Sequence, residues 1–318
     1  MSYLQIGILI VVAFFISLVL TYVAIPILQN LKAGQNIRQE GPRAHLAKAG
    51  TPSMGGLAII AATTITCLTS GGMSRDMLVI LAAFILFGLL GFLDDYLKVA
   101  KKQNLGLRAW QKLVLQIVIA ATVAAYQASV SVYGTSIYIP ILNQHWDFGI
   151  WYIPFVAFVV VAMVNSVNLT DGLDGLASGV TTLVALFFAI VAVDFGMNAG
   201  GIFNSALAGG CMGFLMFNKN PAKVFMGDTG SLALGGGLAA AAIIMNMELM
   251  LPIAGLLFVL EALSVMIQVI SFKTTGKRVF KMAPLHHHFE LCGLKETRVV
   301  GLFWAFTLIC CVVGLLIL

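Results

Sequence analysis

Long uninterrupted stretches of hydrophobic residues recur along the whole chain, separated by short polar segments. We count ten that approach or exceed the length needed to cross a membrane's roughly 30 Å hydrocarbon layer, two of them short. They are Leu4–Leu28, Gly55–Ser70, Met77–Leu93, Trp110–Val130, Gly149–Val164, Leu176–Val193, Gly201–Phe217, Leu232–Met245, Leu249–Phe272 and Val299–Leu318. Their hydrophobicity is continuous and lacks a period of two, which favours helices over a β-barrel. The pattern predicts an all-α polytopic membrane protein with about ten transmembrane helices in one domain, residues 1–318.

Composition agrees with this class. Hydrophobic residues make up 60% of the chain, charged residues only 10%, and mean hydropathy is +1.00, whereas soluble domains carry about 25% charged residues. The first stretch lacks a basic start and an Ala-x-Ala cleavage site, so we expect a first span and not a cleaved signal peptide. The segment Ser131–Trp151 is too polar to span, and we expect a small extracellular hairpin there.

Charge is distributed unevenly between the two faces. If the spans alternate in direction, seventeen of the eighteen Lys and Arg residues fall on one face, and Arg75 is the exception. The positive-inside rule makes that face cytoplasmic and, with an even number of spans, places both termini outside. The asymmetry accounts for the net charge of +5, and no nucleic-acid motif accompanies it. On the opposite face, in short connections where we expect solvation, lie Asp76, Asp147, Asp194 and Glu248.

An acidic pair, Asp94 and Asp95, directly follows the third hydrophobic stretch. Such a pair can simply cap a membrane helix. However, a cytoplasmic carboxylate pair contributes nothing to orientation, and Lys98 follows Asp94 by one helical turn. An acidic pair with a neighbouring lysine can hold a divalent cation and a phosphate together.

A second polar loop follows the fifth stretch. Asn165, Asn168 and Asp171 recur every three residues, so a helical continuation of the span would align them along one face. Gly172 and Gly175 should then break the helix. Carboxylate and amide oxygens are ligands that Mg²⁺ accepts, often with substrate phosphates completing its shell.

A third loop carries Asp228 within Phe225-Met-Gly-Asp-Thr-Gly-Ser231. The short motif beginning at Asp228 is also that of aspartic proteases, but those enzymes need a second aspartate in a matching context, and the motif occurs once here. The glycines on either side of Asp228 instead allow the backbone to approach a ligand closely and its amides to meet an anion.

Neither the histidines nor the cysteines have the spacing of a structural zinc site. Three consecutive histidines, His286, His287 and His288, follow Pro284. They cannot all face one way, so we expect one or two to serve a ligand and another to satisfy the loop. We interpret the five cysteines as structural thiols. They are Cys67, Cys211, Cys292, Cys310 and Cys311.

A polar stripe crosses the ninth stretch. Glu261, Ser264 and Gln268 share one helical face. Ionisable residues at membrane depth normally face the bundle interior or a cavity. Hydrogen bonding between helices and a functional role are both compatible with this stripe, and Gln268, nearest the cytoplasmic end, is the better functional candidate.

Together these motifs resemble the polyprenyl-phosphate N-acetylhexosamine-1-phosphate transferases over nearly the whole chain. The resemblance rests on segments 48–56, 94–95, 165–175, 225–231 and 284–290. The last of these, Pro284-Leu-His-His-His-Phe-Glu290, is similar to the branch that transfers phospho-N-acetylmuramoyl-pentapeptide, since relatives using UDP-N-acetylglucosamine carry a different histidine loop.

The resemblance implies an enzyme that moves phospho-N-acetylmuramoyl-pentapeptide from UDP-N-acetylmuramoyl-pentapeptide to undecaprenyl phosphate, giving lipid I and UMP with Mg²⁺ as cofactor. It also implies ten spans, a homodimer, and an active site on the cytoplasmic side of a bacterial cytoplasmic membrane. The chemistry suits the residues, because an anionic lipid phosphate must attack an anionic diphosphate, and a metal and lysines reduce that repulsion.

Given this resemblance, catalytic roles fall to Asp94, Asp95, Asp228 and His286. We expect Asp228 to bind Mg²⁺, with Asn168 as a second oxygen donor or as a group just outside the metal's ligands. Asp94 or Asp95 would deprotonate or align the lipid phosphate, and covalent attack by an aspartate is an alternative.

Substrate contacts follow from the same resemblance. The lysines in the set would neutralise phosphates, and the two histidines would contact substrate phosphate or sugar. Asp171, Asp174, Phe225 and Gln268 would line the nucleotide or sugar pocket, with Phe225 able to stack on uracil. The candidates are Lys48, Thr51, Lys98, Lys112, Asn165, Asp171, Gly172, Leu173, Asp174, Phe225, Gln268, His286 and His287.

Two alternatives stay open on the sequence. One keeps the fold and reaction but uses UDP-N-acetylglucosamine as the donor. The other is a transporter, which would show ionisable residues at mid-membrane, broken helices and internal repeats. Only Glu261 is clearly deep, and the other polar groups gather at one face.

Overall fold

The computed structural model describes residues 1–31, 48, 50–101 and 106–318. Over these residues the chain forms helices and one small hairpin of two strands. In chain order the elements are α1 (Tyr3–Asn30), α2 (Gly56–Thr69), α3 (Arg75–Ala100), α4 (Ala109–Val130), β1 (Ser136–Ile139), β2 (Gln144–Asp147), α5 (Tyr152–Thr170), α6 (Leu176–Asp194), α7 (Asn198–Asn218), α8 (Gly227–Ile244), α9 (Met250–Ala254), α10 (Leu256–Thr275), α11 (Leu285–Leu291) and α12 (Glu296–Ile317).

Among the described residues, nine helices are long and apolar enough to cross a membrane, and α2, with 14 residues, is a shorter apolar helix. The prediction of an all-α polytopic membrane protein is therefore confirmed. The ninth hydrophobic stretch contains one candidate span as predicted, but that span starts later, because Gly255 separates the short α9 from α10. Glycine weakens a helix interior and tolerates the change in backbone direction.

The core is built around α8, whose many glycines and alanines leave room for its neighbours. Nearly all of this helix is buried, and α3 and α5 pack on it. A Cβ added to Gly235 would lie 2.6 Å from the Val164 Cα of α5, and one added to Gly236 would lie 2.1 Å from the Phe87 ring of α3. Small residues thus let three helices converge, the packing expected where lipid offers no hydrophobic driving force between helices.

The two ends of the bundle differ in character. One end brings together the C-terminal ends of α3, α5 and α7 with the N-terminal ends of α4, α8 and α12, because their polar side chains contact one another there. The other end carries β1 and β2, which pair antiparallel from Ser136 opposite Asp147 to Ile139 opposite Gln144. The hairpin predicted within Ser131–Trp151 is confirmed.

Glu248, between α8 and α9, was expected to be solvated, and that expectation is wrong. Its side chain is fully buried, and one carboxylate oxygen accepts a hydrogen bond of 3.2 Å from the Tyr152 hydroxyl. Burial raises the pKa of Glu248 to about 8. Hydropathy places the residue in a connection, but the connection folds back into the protein, where the Met247 amide bonds the Ala242 carbonyl.

All five cysteines are free thiols and four of them are buried. Burial of Cys67, Cys211, Cys310 and Cys311 suits a packing role, whereas Cys292 is exposed and its structural interpretation stays a prediction.

Candidate active site

Asp94 and Asp95 lie inside α3, which continues past them to Ala100. The alternative in which they cap the end of this helix is therefore wrong, because the helix continues beyond them. A fall in hydropathy marks where the lipid ends, whereas a helix ends where its backbone bonding ends, and no glycine or proline follows here. Both carboxylates are buried, and Lys98, one turn along the helix, bonds Asp94 at 2.6 Å.

Asp228 is likewise helical and not in a loop, because it occupies the first turn of α8. Gly227 adopts a left-handed conformation, with φ of +74°, which allows the chain to turn directly into the helix. The positive end of the helix dipole favours a carboxylate at this position. The third polar motif thus serves as a helix start.

Three carboxylates meet at this end of the bundle. Asp94, Asp95 and Asp228 each place an oxygen within 4.8 Å of the others. Lys98 Nζ lies 2.9 Å and Lys112 Nζ 2.7 Å from the same Asp228 oxygen. We call these five residues the acidic cluster. Two ammonium groups partly offset three carboxylates, so the cluster keeps room for further positive charge.

Hydrogen bonds fix each carboxylate of the cluster differently. Asp95 accepts from the Thr229 amide and hydroxyl at 2.9 and 2.8 Å, which ties α3 to α8. Asp94 accepts from the Leu107 amide at 2.8 Å, just before α4. The three carboxylates, two from α3 and one from α8, are therefore held in place before any substrate arrives.

Asn168, from the last turn of α5, supports Asp228. Its side-chain amide nitrogen donates to Asp228 and to the Ser231 hydroxyl, both at 2.8 Å. An amide nitrogen is not a metal ligand, so this arrangement suits the second predicted role, a group just outside the metal's ligands. Asn165, one turn earlier, is exposed and donates to Gln116 of α4 at 2.8 Å.

The predicted helix break is confirmed, but it comes one residue before Gly172: α5 ends at Thr170, and residues 171–175 form a loop before α6. Asp171 is therefore not aligned with Asn165 and Asn168 on a helical face, as the spacing predicted. Burial and the nearby carboxylates of Asp228, Asp95 and Asp174 raise the pKa of Asp171 well above its usual range. Leu173 is buried beneath the loop. Asp171, at the start of this loop, is therefore close enough to the acidic cluster to be affected by its negative charge.

Lys48 lies in a second cluster and not among the acidic residues. Its Nζ is 2.7 Å from Asp174 and 2.6 Å from Glu296, at the start of α12. Asn220 donates to both carboxylates, at 3.1 and 3.2 Å, and the Ala222 amide donates to Asp174 at 3.0 Å. We call Lys48, Asp174, Asn220 and Glu296 the lysine cluster. Glu296 was not predicted as a site residue, and its negative charge on the basic face is the one feature of the sequence that points to it.

Two segments connect the acidic and lysine clusters. One is the loop from Asp171 to Asp174, and the other runs from Asn220 to Asp228. Phe225 lies midway along the second segment, is half-buried, and pairs its backbone with Pro52 and Gly55 at 2.8 and 2.9 Å.

Thr51, predicted to contact substrate, immediately precedes the paired residues Pro52 and Gly55 and is half-buried. Its amide donates to the Lys48 carbonyl at 3.2 Å. This segment therefore places Thr51 between Lys48 and the backbone that holds Phe225.

The three histidines lie on α11, a helix of seven residues. His286 is fully buried and its Nδ1 lies 3.0 Å from Glu261, while the His287 Nδ1 lies 3.0 Å from Glu290. His288 Nδ1 accepts from the Lys281 amide at 3.1 Å, which confirms that one histidine satisfies the neighbouring loop. The structure corrects the expectation of an irregular loop, since seven residues are too few to reveal helical periodicity.

Gln268 holds the segment that leads into α11. Its side-chain oxygen accepts from the Val279 and Phe280 amides at 3.1 and 2.9 Å, and its nitrogen donates to the Phe280 carbonyl at 3.2 Å. These bonds show that Gln268 holds the backbone before α11 in place. Its contact with substrate stays a prediction.

Comparison with known proteins agrees with the site. Residues 77–246 match the model of glycosyl transferase family 4, and residues 48–60 match signature 1 of the phospho-N-acetylmuramoyl-pentapeptide-transferases. That second match begins at Lys48 of the lysine cluster, and the first includes the whole acidic cluster.

Proteins named phospho-N-acetylmuramoyl-pentapeptide-transferase align over nearly the full chain. The one from Alkaliphilus oremlandii is 55% identical over 318 residues, with 96% of each chain covered. That from Alkaliphilus metalliredigens is 53% identical, covering 100% of this chain and 99% of the relative, and that from Clostridium kluyveri is 51% identical, covering 96% and 97%. The chain therefore belongs to glycosyl transferase family 4 and, within it, to the phospho-N-acetylmuramoyl-pentapeptide-transferases.

Proposed function

We propose that this protein transfers phospho-N-acetylmuramoyl-pentapeptide from its UDP carrier to undecaprenyl phosphate, forming lipid I and UMP for peptidoglycan synthesis. The observation that carries this proposal is the acidic cluster, with its two lysines, at one end of an apolar helical bundle. There a membrane lipid's phosphate and a water-soluble nucleotide can meet. The names of the relatives supply the donor and acceptor.

The donor set suits Mg²⁺. Asp228, together with Asp94 or Asp95, offers hard carboxylate oxygens within 4.8 Å of one another, and Mg²⁺ prefers such oxygens and commonly shares them with substrate phosphates. When bound, the ion would supply positive charge that stabilises the diphosphate as the bond to UMP breaks.

The chain's own residues lower the remaining electrostatic barrier. An oxygen of the lipid phosphate attacks the phosphorus that carries the sugar, a new P–O bond forms, and the bridging oxygen leaves with UMP. Lys98 and Lys112 lie where they can neutralise phosphate oxygens during this exchange. Asp94 orients the attacking phosphate and accepts its proton where one is present. Covalent attack by an aspartate is the competing route, and a trapped phosphoryl-protein intermediate would identify it.

The nucleotide would lie between the two clusters. Its diphosphate would face Asp228, and its uridine would lie near Phe225 and the lysine cluster, whose polar groups suit a nucleobase. The loop from Asp171 to Asp174 and the segment from Asn220 to Asp228 bound this space.

The active-site end faces the cytoplasm in this proposal. Among the described basic residues, Arg75 is separated from the others by the bundle, and the positive-inside rule assigns the richer end to the cytoplasm. With α2 as a tenth span, both termini would lie outside a bacterial cytoplasmic membrane. The homodimer that the resemblance implies stays a prediction.

A parallel assay tests the donor. Purified protein in detergent would receive undecaprenyl phosphate and Mg²⁺ with either UDP-N-acetylmuramoyl-pentapeptide or UDP-N-acetylglucosamine, and UMP release would be measured. We expect turnover with the muramoyl-pentapeptide donor alone. Turnover with the simpler sugar would overturn the donor assignment, and no release with either would overturn the transferase.

A further inference from the structure

Glu261 and His286 form a pair that is completely buried between α10 and α11. One carboxylate oxygen lies 3.0 Å from His286 Nδ1, and the other accepts from the His286 backbone amide at 3.2 Å. That amide belongs to the first turn of α11, where a helix has no carbonyl partner of its own to offer. A single carboxylate therefore holds both the backbone and the ring of the same histidine.

A carboxylate within a membrane span is costly unless it is paired. Glu261 lies inside α10, a candidate membrane span with many exposed apolar side chains. An apolar side chain at this position would pack α10 against α11 at lower cost. The buried carboxylate therefore points to a function for the residue that it bonds. The partner is His286, which the family resemblance places among the catalytic residues.

The ring's other nitrogen points at the active-site loop. His286 Nε2 is buried and has no hydrogen-bond partner in the described structure. A Cβ added to Gly172 would lie 2.2 Å from Nε2, so only glycine lets the loop pass this close. Gly172 lies directly after Asp171, whose carboxylate is near the acidic cluster. The unpartnered nitrogen thus faces the loop that we place beside the nucleotide sugar.

We propose that Glu261 is a positioning residue that fixes the tautomer and orientation of His286. With Nδ1–H donating to Glu261, Nε2 is the nitrogen directed toward the phosphate and sugar groups of the donor substrate. Carboxylates hold catalytic and metal-binding imidazoles in the same way, by choosing which ring nitrogen is free. The substrate part of this inference rests on the proposed function.

Nitrogen spectroscopy tests the positioning without turnover. The chain has five histidines, so protein labelled with ¹⁵N-histidine gives few signals, and His286→Asn identifies the one that matters. We expect a protonated Nδ1 in the wild type and loss of that signature in Glu261→Gln. The matched control is Ser264→Ala, one turn along the same stripe, whose hydroxyl donates to the Glu261 backbone carbonyl at 2.7 Å.

Kinetics then separate positioning from simple packing. Glu261→Gln should lower kcat by about 10- to 100-fold, as loss of an orienting carboxylate does elsewhere, with KM for undecaprenyl phosphate unchanged. In the His286→Asn background the same substitution should cost nothing further, since residues that act as a unit are not additive. An equal loss in both backgrounds, or an unprotonated Nδ1 in the wild type, would overturn the proposal.

The two proposals fail in different ways. If the wild type releases no UMP from either donor, the proposed function fails, while the nitrogen spectrum still decides whether Glu261 sets the tautomer. If the wild type turns over and the double variant shows additive losses, the function stands and the role of Glu261 is structural.

Discussion

Gly91 of α3 lies directly against the backbone carbonyl of Asp228, and a Cβ added there would stand 2.0 Å from that oxygen. This contact lies one turn before Asp94 on α3 and at the first turn of α8. The distance between the two halves of the acidic cluster is therefore set by a glycine that carries no chemistry of its own.

Gly91→Ala should separate α3 from α8 and disable the acidic cluster. The obstacle is backbone, which cannot rotate away as a side chain can, and overpacking of this kind typically costs about 1–3 kcal/mol. We expect a lower melting temperature in detergent and at least about a 100-fold loss of UMP release, since displacements near 1 Å can cost that much. Gly7→Ala and Gly301→Ala meet no atom within 4 Å and should behave as the wild type. A fully active Gly91→Ala protein would show that the cluster tolerates separation.

Asp228→Asn should abolish turnover while leaving the fold intact. The substitution keeps the size of the side chain but removes the charge that Lys98, Lys112 and Asn168 converge upon. We expect UMP release to fall by about 1,000-fold or more, comparable to losing a major electrostatic contribution to catalysis. Near-normal turnover at saturating Mg²⁺ would remove Asp228 from the metal role. Asp147→Asn, at the opposite end of the bundle, is the matched control.

Glu296→Gln should weaken nucleotide binding more than catalysis. The change removes one of the two carboxylates that hold Lys48, at 2.6 Å, and leaves the acidic cluster untouched. We expect KM for the UDP donor to rise about tenfold, the effect of roughly 1.4 kcal/mol of binding, with kcat within a few-fold of the wild type. Arg298→Ala, an exposed change two residues along α12, serves as the control. A fall in kcat at unchanged KM would place the lysine cluster with the chemistry instead.

The fold class was predictable because lipid imposes one solution on long apolar stretches. The ends of the helices were not, because hydropathy ended α3 before Asp94 and Asp95 and began α8 only after Asp228. Hydropathy records the change of solvent, whereas the helix continues until a glycine, a proline or a cap stops it.

The site was predictable as a set of residues but not as a set of partners. Lys48 and Glu296 are 248 positions apart, and nothing local in the sequence relates them. Glu261 could be recognised as an expensive buried acid, yet its bond to His286 depends on how α11 folds against α10. Partner choice is tertiary information, so lysines with similar sequence context were assigned the same role and lie in different clusters.

Glu248→Gln should stabilise the protein increasingly as pH rises. Burial raises the pKa of Glu248 from 4.5 to about 8, so between these pH values the folded protein holds a proton that the unfolded chain releases. Stability contributed by this group is then full below about pH 4.5 and is lost as pH rises toward 8. The substituted amide would keep the hydrogen bond from Tyr152 and has no proton to lose.

We expect melting temperatures of the two proteins in detergent to be similar near pH 5 and to differ by several degrees near pH 8, with the variant higher. Asp147→Asn, an exposed change, should show no such widening, and a gap independent of pH would mean that Glu248 is already ionised in the folded state.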